Sequence, residues 1–262
     1  AAATLMLRSI SAELSARSGC QVDAVSLQHA DTIDAAELCG EPAQVCAHWL
    51  RDQWTAGARD FILLPLFFGK SRALTSFVPE QTALLGQEFG DFSLKLSGVL
   101  YPMPAREPEM ANILLQQIQV SRVQLQDAGH QPQAVVLVDH GTPVASVNAV
   151  RRSLANELAV RLDIPLHQAC MERREGAKYD FNGDLLEHWL IKQAQQGVRC
   201  VVVSMLFLLP GRHAGTGGDI AEICTGVQAQ YPDLKIAITP LVGESSGLVD
   251  LLQHRLNAAL QK

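Results

Sequence analysis

The stretch VVVSMLFLLPGRHAGTGGD, residues 201–219, carries the signals that decide the fold. Its first eight residues, 201–208, are apolar except for one serine, which is typical of a strand buried on both faces of a parallel sheet. A glycine-rich loop, 209–218, follows, and apolar residues then recur at helical spacing up to residue 227. A buried strand, a loop and an amphipathic helix in this order predict one step of an α/β domain.

The segments on either side extend this step into a repeating pattern. Three more strands are predicted, at residues 134–138, 164–171 and 234–241. Helical spacing predicts three more helices, at residues 147–162, 184–196 and 248–260. The order βαβαβαβα predicts a four-stranded parallel sheet with helices on both faces.

The two halves of the chain repeat each other. RSISAELSAR at 8–17 matches RSLANELAVR at 152–161, an offset of 144 residues. The apolar run FILLPLFF at 61–68 lies 140 residues before VVVSMLFL at 201–208. Ordered matches at a nearly constant offset indicate a duplicated α/β unit.

This repeat predicts the domain boundaries. We expect an N-terminal half at residues 1–120, a polar linker at 121–133 and a C-terminal half at 134–262. At the offset of 144, the first strand of the N-terminal half falls before residue 1. We expect about ten residues upstream to supply it, because a sheet without that strand would expose an open edge.

Composition restricts the class of protein. With 48% apolar residues, the chain can bury a large core and is not expected to be disordered. The formal net charge of −6 argues against a general nucleic-acid binder. The most apolar run, 201–210, has about half the length that a membrane-spanning helix needs. Six scattered cysteines without a CxxC pair indicate reduced core residues of a cytoplasmic protein.

Three possible metal ligands follow three different strands of the C-terminal half. They are His140, Glu172 and His213. Because the carboxyl ends of parallel strands meet at one edge of the sheet, we expect these side chains to converge. Two imidazoles and a carboxylate suit a divalent first-row metal, and three protein ligands leave coordination positions open. The same groups can accept protons near neutral pH.

The corresponding positions of the first half lack these donors. Gln28 stands in the place of Glu172, and Ala73 stands in the place of His213. We therefore expect no second metal site there. Lys70 and Arg72 remain on the equivalent loop, where they either face an anionic ligand or are simply solvated.

The sequence resembles a known family at four motifs. They are VLVDHGT at 136–142, ME at 171–172, VVVSMLFLLPGRHAGTGGDIAEI at 201–223 and LPLFFGKSRALTSFVPE at 64–80. These motifs are similar to those of class II tetrapyrrole chelatases, in particular the two-domain form of the CbiX-type sirohydrochlorin cobaltochelatases and ferrochelatases. The resemblance implies two chelatase-like α/β units that face each other across a cleft. It also implies a lyase that inserts cobalt or iron into sirohydrochlorin, for cobalamin or siroheme synthesis.

The resemblance also implies roles for individual residues. His140 and His213 match the metal-binding and proton-accepting histidines of the family, and Glu172 matches their acidic partner. The metal is then a substrate, and no organic cofactor is expected. Because sirohydrochlorin is rich in carboxylates, cationic side chains and the N–H groups of a glycine-rich turn are candidates to bind it. These candidates are Arg212, Gly215, Thr216, Gly217, Gly218, Lys70 and Arg72.

Other functions remain open from the sequence. The degenerate first half is compatible with a non-catalytic carrier of metal or tetrapyrrole that keeps the chelatase fold. A chelatase for nickel or for another tetrapyrrole is a further reading, because cobalt, iron and nickel all accept His and Glu ligands. The expected state is a monomer or a homodimer, with no nucleic-acid or membrane partner.

Overall fold

The computed structural model describes residues 1–261 and divides the chain into two compact units. The first unit comprises Ala1–Pro102 together with the chain from Val249 onward, and the second unit comprises Met103–Leu248. Both contain parallel strands connected by helices, as the βα pattern of the sequence predicts.

The first unit contains two separate pairs of parallel strands. Its main elements are α1 (Ala2–Ser18), β1 (Val25–Ser26), β2 (Gln44–Val45), α2 (Cys46–Thr55), β3 (Asp60–Leu63), α3 (Val78–Phe89) and β4 (Ser93–Leu96). Strand β1 pairs with β2, and β3 pairs with β4.

The second unit contains one continuous parallel sheet. Its elements are α4 (Pro108–Asp127), β5 (Ala134–Asp139), α5 (Ala145–Ala159), β6 (Leu166–Cys170), β7 (Asp184–Leu185), α6 (Leu186–Gln195), β8 (Cys200–Met205), α7 (Asp219–Gln230) and β9 (Lys235–Ile238). The strand order is β7-β6-β5-β8-β9, so β5 occupies the centre. A final helix, α8 (Ser246–Leu260), begins in this unit and continues in the first one.

The prediction of four strands in each sheet is wrong in both units. The second sheet has a fifth strand, because Asp184–Leu185 pairs with the end of β6 before helix α6 begins. In the first unit, by the repeat offset, β1 corresponds to β6 and β3 corresponds to β8. Residues 1–102 contain no counterpart of β5, which joins β6 to β8 in the second sheet. The first sheet is therefore split at that position.

Two layers of helices cover the second sheet. Helices α6 and α7 pack on one face, where Trp189 and Ile220 meet the alternating side chains of Val136 and Val203. Helices α4 and α5 pack against each other and contact β8 and β6, respectively. The central strands β5 and β8 are buried except for Asp139 at the end of β5, which explains their nearly continuous apolar sequence.

The predicted linker at 121–133 is helical in its first half. Helix α4 continues to Asp127, and its residues Ser121 and Leu125 are buried in the second unit. This packing was not predicted because the segment is polar. Arg122 is also buried there, and it is paired with Asp163, with 2.7 Å between Nη1 and Oδ1. The units of the structure therefore differ from the expected boundaries 1–120 and 134–262, since α4 belongs to the second unit and most of α8 to the first.

The cysteines are all free, and four of the six are buried, as expected for core residues. Burial raises the pKa of the Cys170 and Cys200 thiols, and it raises the pKa of Cys224 to about 12. Such thiols stay protonated near neutral pH and are poor metal ligands. Across residues 1–261, none of the helices has both the length and the apolar character needed to cross a lipid bilayer.

Candidate metal and active site

His140 and Glu172 come together at the carboxyl edge of the second sheet. Strands β5 and β6 are parallel neighbours with Asp139 opposite Cys170, so the residues that follow them leave the sheet at the same level. The Nε2 atom of His140 lies 3.3 Å from Oε1 of Glu172. The convergence expected for these two side chains is observed.

His213 lies at the same edge of the sheet, after β8, which is the second strand that pairs with β5. It lies in the loop after β8, and its ring centroid is 4.7 Å from that of His140, with the two rings at 70°. His140 therefore contacts both of the other side chains. All three sit where parallel α/β sheets bind ligands.

The backbone of the two loops is joined directly. The N–H of Glu172 donates to the carbonyl of His140 over 3.1 Å, and the N–H of Met171 donates to the carbonyl of Asp139 over 2.8 Å. Gly141 has a φ of 91°, and a Cβ atom there would lie only 1.9 Å from the Glu172 carbonyl oxygen. Only glycine fits, because both the backbone conformation and the close approach exclude a side chain.

A buried polar network lies beneath the His140 turn. Arg151 is 2% exposed and donates to the Asp139 carboxylate and to the carbonyls of Ala169 and Asn182. The Asn182 side chain accepts from the Thr142 N–H over 3.0 Å and donates to the Thr142 carbonyl over 2.9 Å. The turn that carries His140 is thus held on both sides, at Asp139 and at Thr142.

Burial raises the pKa of the Asp139 carboxyl, and the guanidinium of Arg151 opposes this shift without cancelling it. The hydrogen bond between Arg151 and Asp139 therefore stabilises this pair together with the attraction of their charges. Sequence reasoning missed Arg151, although an arginine next to the apolar stripe of α5 was a signal of a buried partner.

Asp219 orients His213. The Nδ1 atom of His213 donates to Oδ2 of Asp219 over 2.5 Å, and Asp219 is the first residue of α7. The loop between them is tight, since a Cβ atom on Gly218 would lie 2.9 Å from the Ala214 nitrogen and 3.0 Å from the His213 carbonyl carbon. A carboxylate on the far nitrogen of an imidazole is the usual support of a metal-binding histidine.

Both imidazoles use Nδ1 as a donor and leave Nε2 for a ligand. The Nδ1 atom of His140 lies 3.1 Å from the Gly141 carbonyl oxygen, and that of His213 faces Asp219. The remaining nitrogen of His140 points at the Glu172 carboxylate, so two electron-rich groups face each other. A proton or a divalent cation between them satisfies both.

The structure does not enclose a complete metal site. Within residues 1–261, no three His, Cys, Asp or Glu side chains are already arranged around one metal position. The side chains of His140 and Glu172 are 44% and 64% exposed, so a rotation toward a bound cation meets little packing. The assignment of His140, Glu172 and His213 as a ligand set stays a prediction.

The glycine-rich turn mainly stabilises the conformation of the loop that carries His213. The N–H groups of Gly218, Asp219 and Ile220 donate to carbonyls of residues 215, 212 and 213. These groups are therefore engaged within the loop, and the carboxylate of Asp219 at the helix start disfavours an anion. Of the predicted substrate-binding residues, Gly218 has this structural role, while Arg212, Thr216 and Gly217 are exposed and Gly215 is half-buried.

In the first unit, the equivalent positions do not form a comparable cluster. Gln28 is exposed after β1, and Ala73 begins a helical segment, Ala73–Phe77, that continues into α3. Lys70 and Arg72 are exposed in front of this segment. Their proposed contact with an anionic ligand stays a prediction.

Comparison with known proteins supports the same family as the sequence motifs. The family model CbiX matches residues 134–259, which is most of the second unit. No curated protein sequence matches the chain at a significant level.

Solved structures match nearly the whole chain. SirB from Bacillus subtilis with Fe³⁺ has a TM-score of 0.67 and 11% identity, over 98% of this chain and 89% of that one. The sirohydrochlorin chelatase SirB from Bacillus subtilis subspecies spizizenii, in complex with cobalt, has a TM-score of 0.61 and 12% identity, over 97% and 89%.

A third structure is CbiX, described as the terminal enzyme for siroheme biosynthesis in denitrifying bacteria. It has a TM-score of 0.58 and 13% identity, over 98% of this chain and 92% of that one. At these identities the likeness shows the fold alone. Residues 134–259 match the CbiX family model, and over nearly its full length the chain has the fold of the SirB and CbiX structures.

Proposed function

We propose that this protein is a metal chelatase, a lyase that inserts Co²⁺ or Fe²⁺ into sirohydrochlorin. The observation that carries the proposal is the convergence of His140, Glu172 and His213 at one edge of the second sheet. The CbiX match covers all three residues. In this proposal the metal and the tetrapyrrole are both substrates, and the product serves siroheme or cobalamin synthesis in the cytoplasm.

The residue chemistry suits both parts of the reaction. Inserting M²⁺ into a free-base macrocycle requires the pyrrole N–H protons to leave. The facing Nε2 of His140 and carboxylate of Glu172 supply proton acceptors at the edge of the site. Asp219 binds Nδ1 of the His213 ring, which leaves Nε2 to bind a metal or accept a proton.

Incomplete enclosure of the metal is an advantage for transfer. A cation held by two imidazoles and a carboxylate keeps positions open for the incoming ring nitrogens. A closed set of four protein ligands would resist that exchange. The bound metals named for the two SirB structures, Fe³⁺ and cobalt, are of the class that this donor set accepts.

The proposal is tested by an assay that monitors metal insertion through the absorbance of the tetrapyrrole. Metal-free sirohydrochlorin is mixed with Co²⁺, Fe²⁺ or Ni²⁺ and protein, and the change in the tetrapyrrole spectrum is compared with the rate without protein. We expect the wild type to accelerate insertion and His213→Ala to reduce kcat/KM by about 100-fold or more. His188→Ala is the matched control, because His188 is an exposed histidine of the same unit on α6.

The same assay separates the carrier function from the enzyme. Gln28 and Ala73 leave the first unit without the donors of the second, which is the observation that favours a carrier. Tight binding of sirohydrochlorin with no rate above background would reject the chelatase and support the carrier. A preference for Ni²⁺ would replace the proposed metal and keep the reaction class.

A further inference from the structure

The loop between β6 and β7 carries three cations and two carboxylates, Glu175 and Asp180, directly after Glu172. It contains Arg173, Arg174 and Lys178, and residues 177–182 form a short 3₁₀ helix. None of these cations belongs to the residues that the sequence motifs single out. The arrangement of their side chains decides what the loop can bind.

Two of the three cations meet on one aromatic ring. The guanidinium carbon of Arg174 lies 5.9 Å from the ring centroid of Tyr179, and Nζ of Lys178 lies 5.0 Å from it. Nη1 of Arg174 also lies 3.5 Å from the Tyr179 hydroxyl oxygen. The pKa of the Tyr179 phenol is lowered, chiefly by the hydrogen bond from Arg174, with a smaller contribution from Lys178.

These two cations lack an acidic partner, whereas their neighbour has one. Arg173 is paired with Asp180, with 3.3 Å between Nη1 and Oδ1. In the described part of the chain, no carboxylate lies within ion-pair distance of Arg174 or Lys178. Two like charges on one ring repel each other, and a bound anion would remove that repulsion.

The backbone of Tyr179 is connected through Asn182 to the turn that carries His140. The carbonyl of Tyr179 accepts from Nδ2 of Asn182 over 3.1 Å, and the same Asn182 side chain brackets Thr142. The N–H of Tyr179 also donates to the Gly176 carbonyl over 3.0 Å. The backbone at Tyr179 is thus linked through Asn182 to Thr142, two residues after His140, while the side chains of Arg174 and Lys178 are exposed.

We propose that Arg174 and Lys178, held on Tyr179, bind a carboxylate at the rim of the tetrapyrrole substrate. This inference rests on the proposed function, because it takes the macrocycle centre to lie over His140 and Glu172. Arg174 is two residues from Glu172 along the chain, so in this proposal the cations contact the acidic substituents at the edge of the macrocycle and not its metal-binding centre. A planar guanidinium and an ammonium together favour a carboxylate through charge-assisted hydrogen bonds.

The test measures binding and turnover separately. The double variant Arg174→Gln/Lys178→Gln is compared with Arg152→Gln/Lys192→Gln, which removes the same charge from exposed helix positions of the same unit. Metal-free sirohydrochlorin is titrated into each protein and its fluorescence gives Kd. Steady-state assays give KM and kcat, and Co²⁺ affinity is measured without tetrapyrrole.

We expect the Arg174/Lys178 variant to weaken Kd and raise KM about tenfold, with kcat and Co²⁺ affinity kept within about twofold. The difference should shrink in high salt, because both cations are exposed. The control pair should change neither constant. An unchanged Kd and KM in an active Arg174/Lys178 variant would overturn this inference and leave the chelatase intact. Tight, charge-dependent binding without turnover in the wild type would instead reject the chelatase and leave the binding site.

Discussion

The loop after β8 in the second unit and the loop after β3 in the first begin alike and fold differently. In the second unit, four glycines, at 211, 215, 217 and 218, keep the chain out of a helix until α7 begins, so His213 lies in a non-helical loop. In the first unit no glycine occurs between residues 70 and 85, and the chain is helical from Ala73 onward. The two halves therefore share the duplicated βα framework and differ in the conformation of the loop after this strand.

A half-buried arginine of the first unit and a buried arginine of the second unit show a further difference between the units. In the first unit, Arg8 on α1 donates to the carbonyls of Leu38, Glu41 and Pro42. In the second, Arg151 on α5 makes similar carbonyl bonds and also binds the Asp139 carboxylate. The two arginines are not equivalent in the repeat, which aligns Arg8 with the exposed Arg152. The link from Arg151 to the turn that carries His140 is therefore a feature of the second unit.

The largest effect on activity is expected from placing a side chain between the two site loops. Gly141→Ala places a Cβ atom against the Glu172 carbonyl and forces a left-handed backbone on alanine. We expect unfolding free energy to fall by about 3 kcal/mol and chelatase activity to be lost. Calorimetry and the insertion assay measure the two effects.

Gly197→Ala is the control for Gly141→Ala. Gly197 has a similar φ of 90°, but no heavy atom lies within 4 Å of its Cβ position. We expect about 1–2 kcal/mol of destabilisation from the backbone alone, with activity retained. Equal effects of the two substitutions would show that the contact between the loops is unimportant.

An intermediate effect on activity, with a loss of stability at least as large, is expected from breaking the polar network. Arg151→Met leaves the Asp139 carboxylate buried without its cation and two carbonyls without a donor. Unfolding free energy should fall by about 3–5 kcal/mol in denaturant titrations, and Co²⁺ affinity should fall with it. The neighbouring Arg152→Met is exposed and should stay within about 0.5 kcal/mol of wild type. A stable Arg151→Met protein with normal Co²⁺ affinity would refute the positioning role.

The smallest effect is expected from restoring donor types to the first unit. Gln28→Glu combined with Ala73→His supplies the missing carboxylate and imidazole, yet Ala73 begins a helix and does not lie in an open turn. We expect the Co²⁺ stoichiometry of the double variant to equal that of the wild type. A second tightly bound Co²⁺ would show that residue type alone, and not loop conformation, separates the two units.

Local sequence patterns predicted the βα order and the strand ends that place His140, Glu172 and His213 together. These features depend on apolar runs and short-range spacing. The supporting residues Arg151, Asn182 and Asp219 were missed because their partners are chosen by the folded chain, as when Asn182 meets Thr142 40 residues away. The buried side of α4 was missed because Arg122 is neutralised by a distant aspartate, Asp163.

Cobalt titration of the full chain tests the shared metal position most directly. The wild type, His140→Ala, Glu172→Ala and His213→Ala are each titrated with Co²⁺ without tetrapyrrole, and the visible spectrum reports the ligands. We predict one Co²⁺ per wild-type chain, with weaker binding and an altered spectrum in each variant. Wild-type cobalt affinity and spectrum in all three variants would contradict the account.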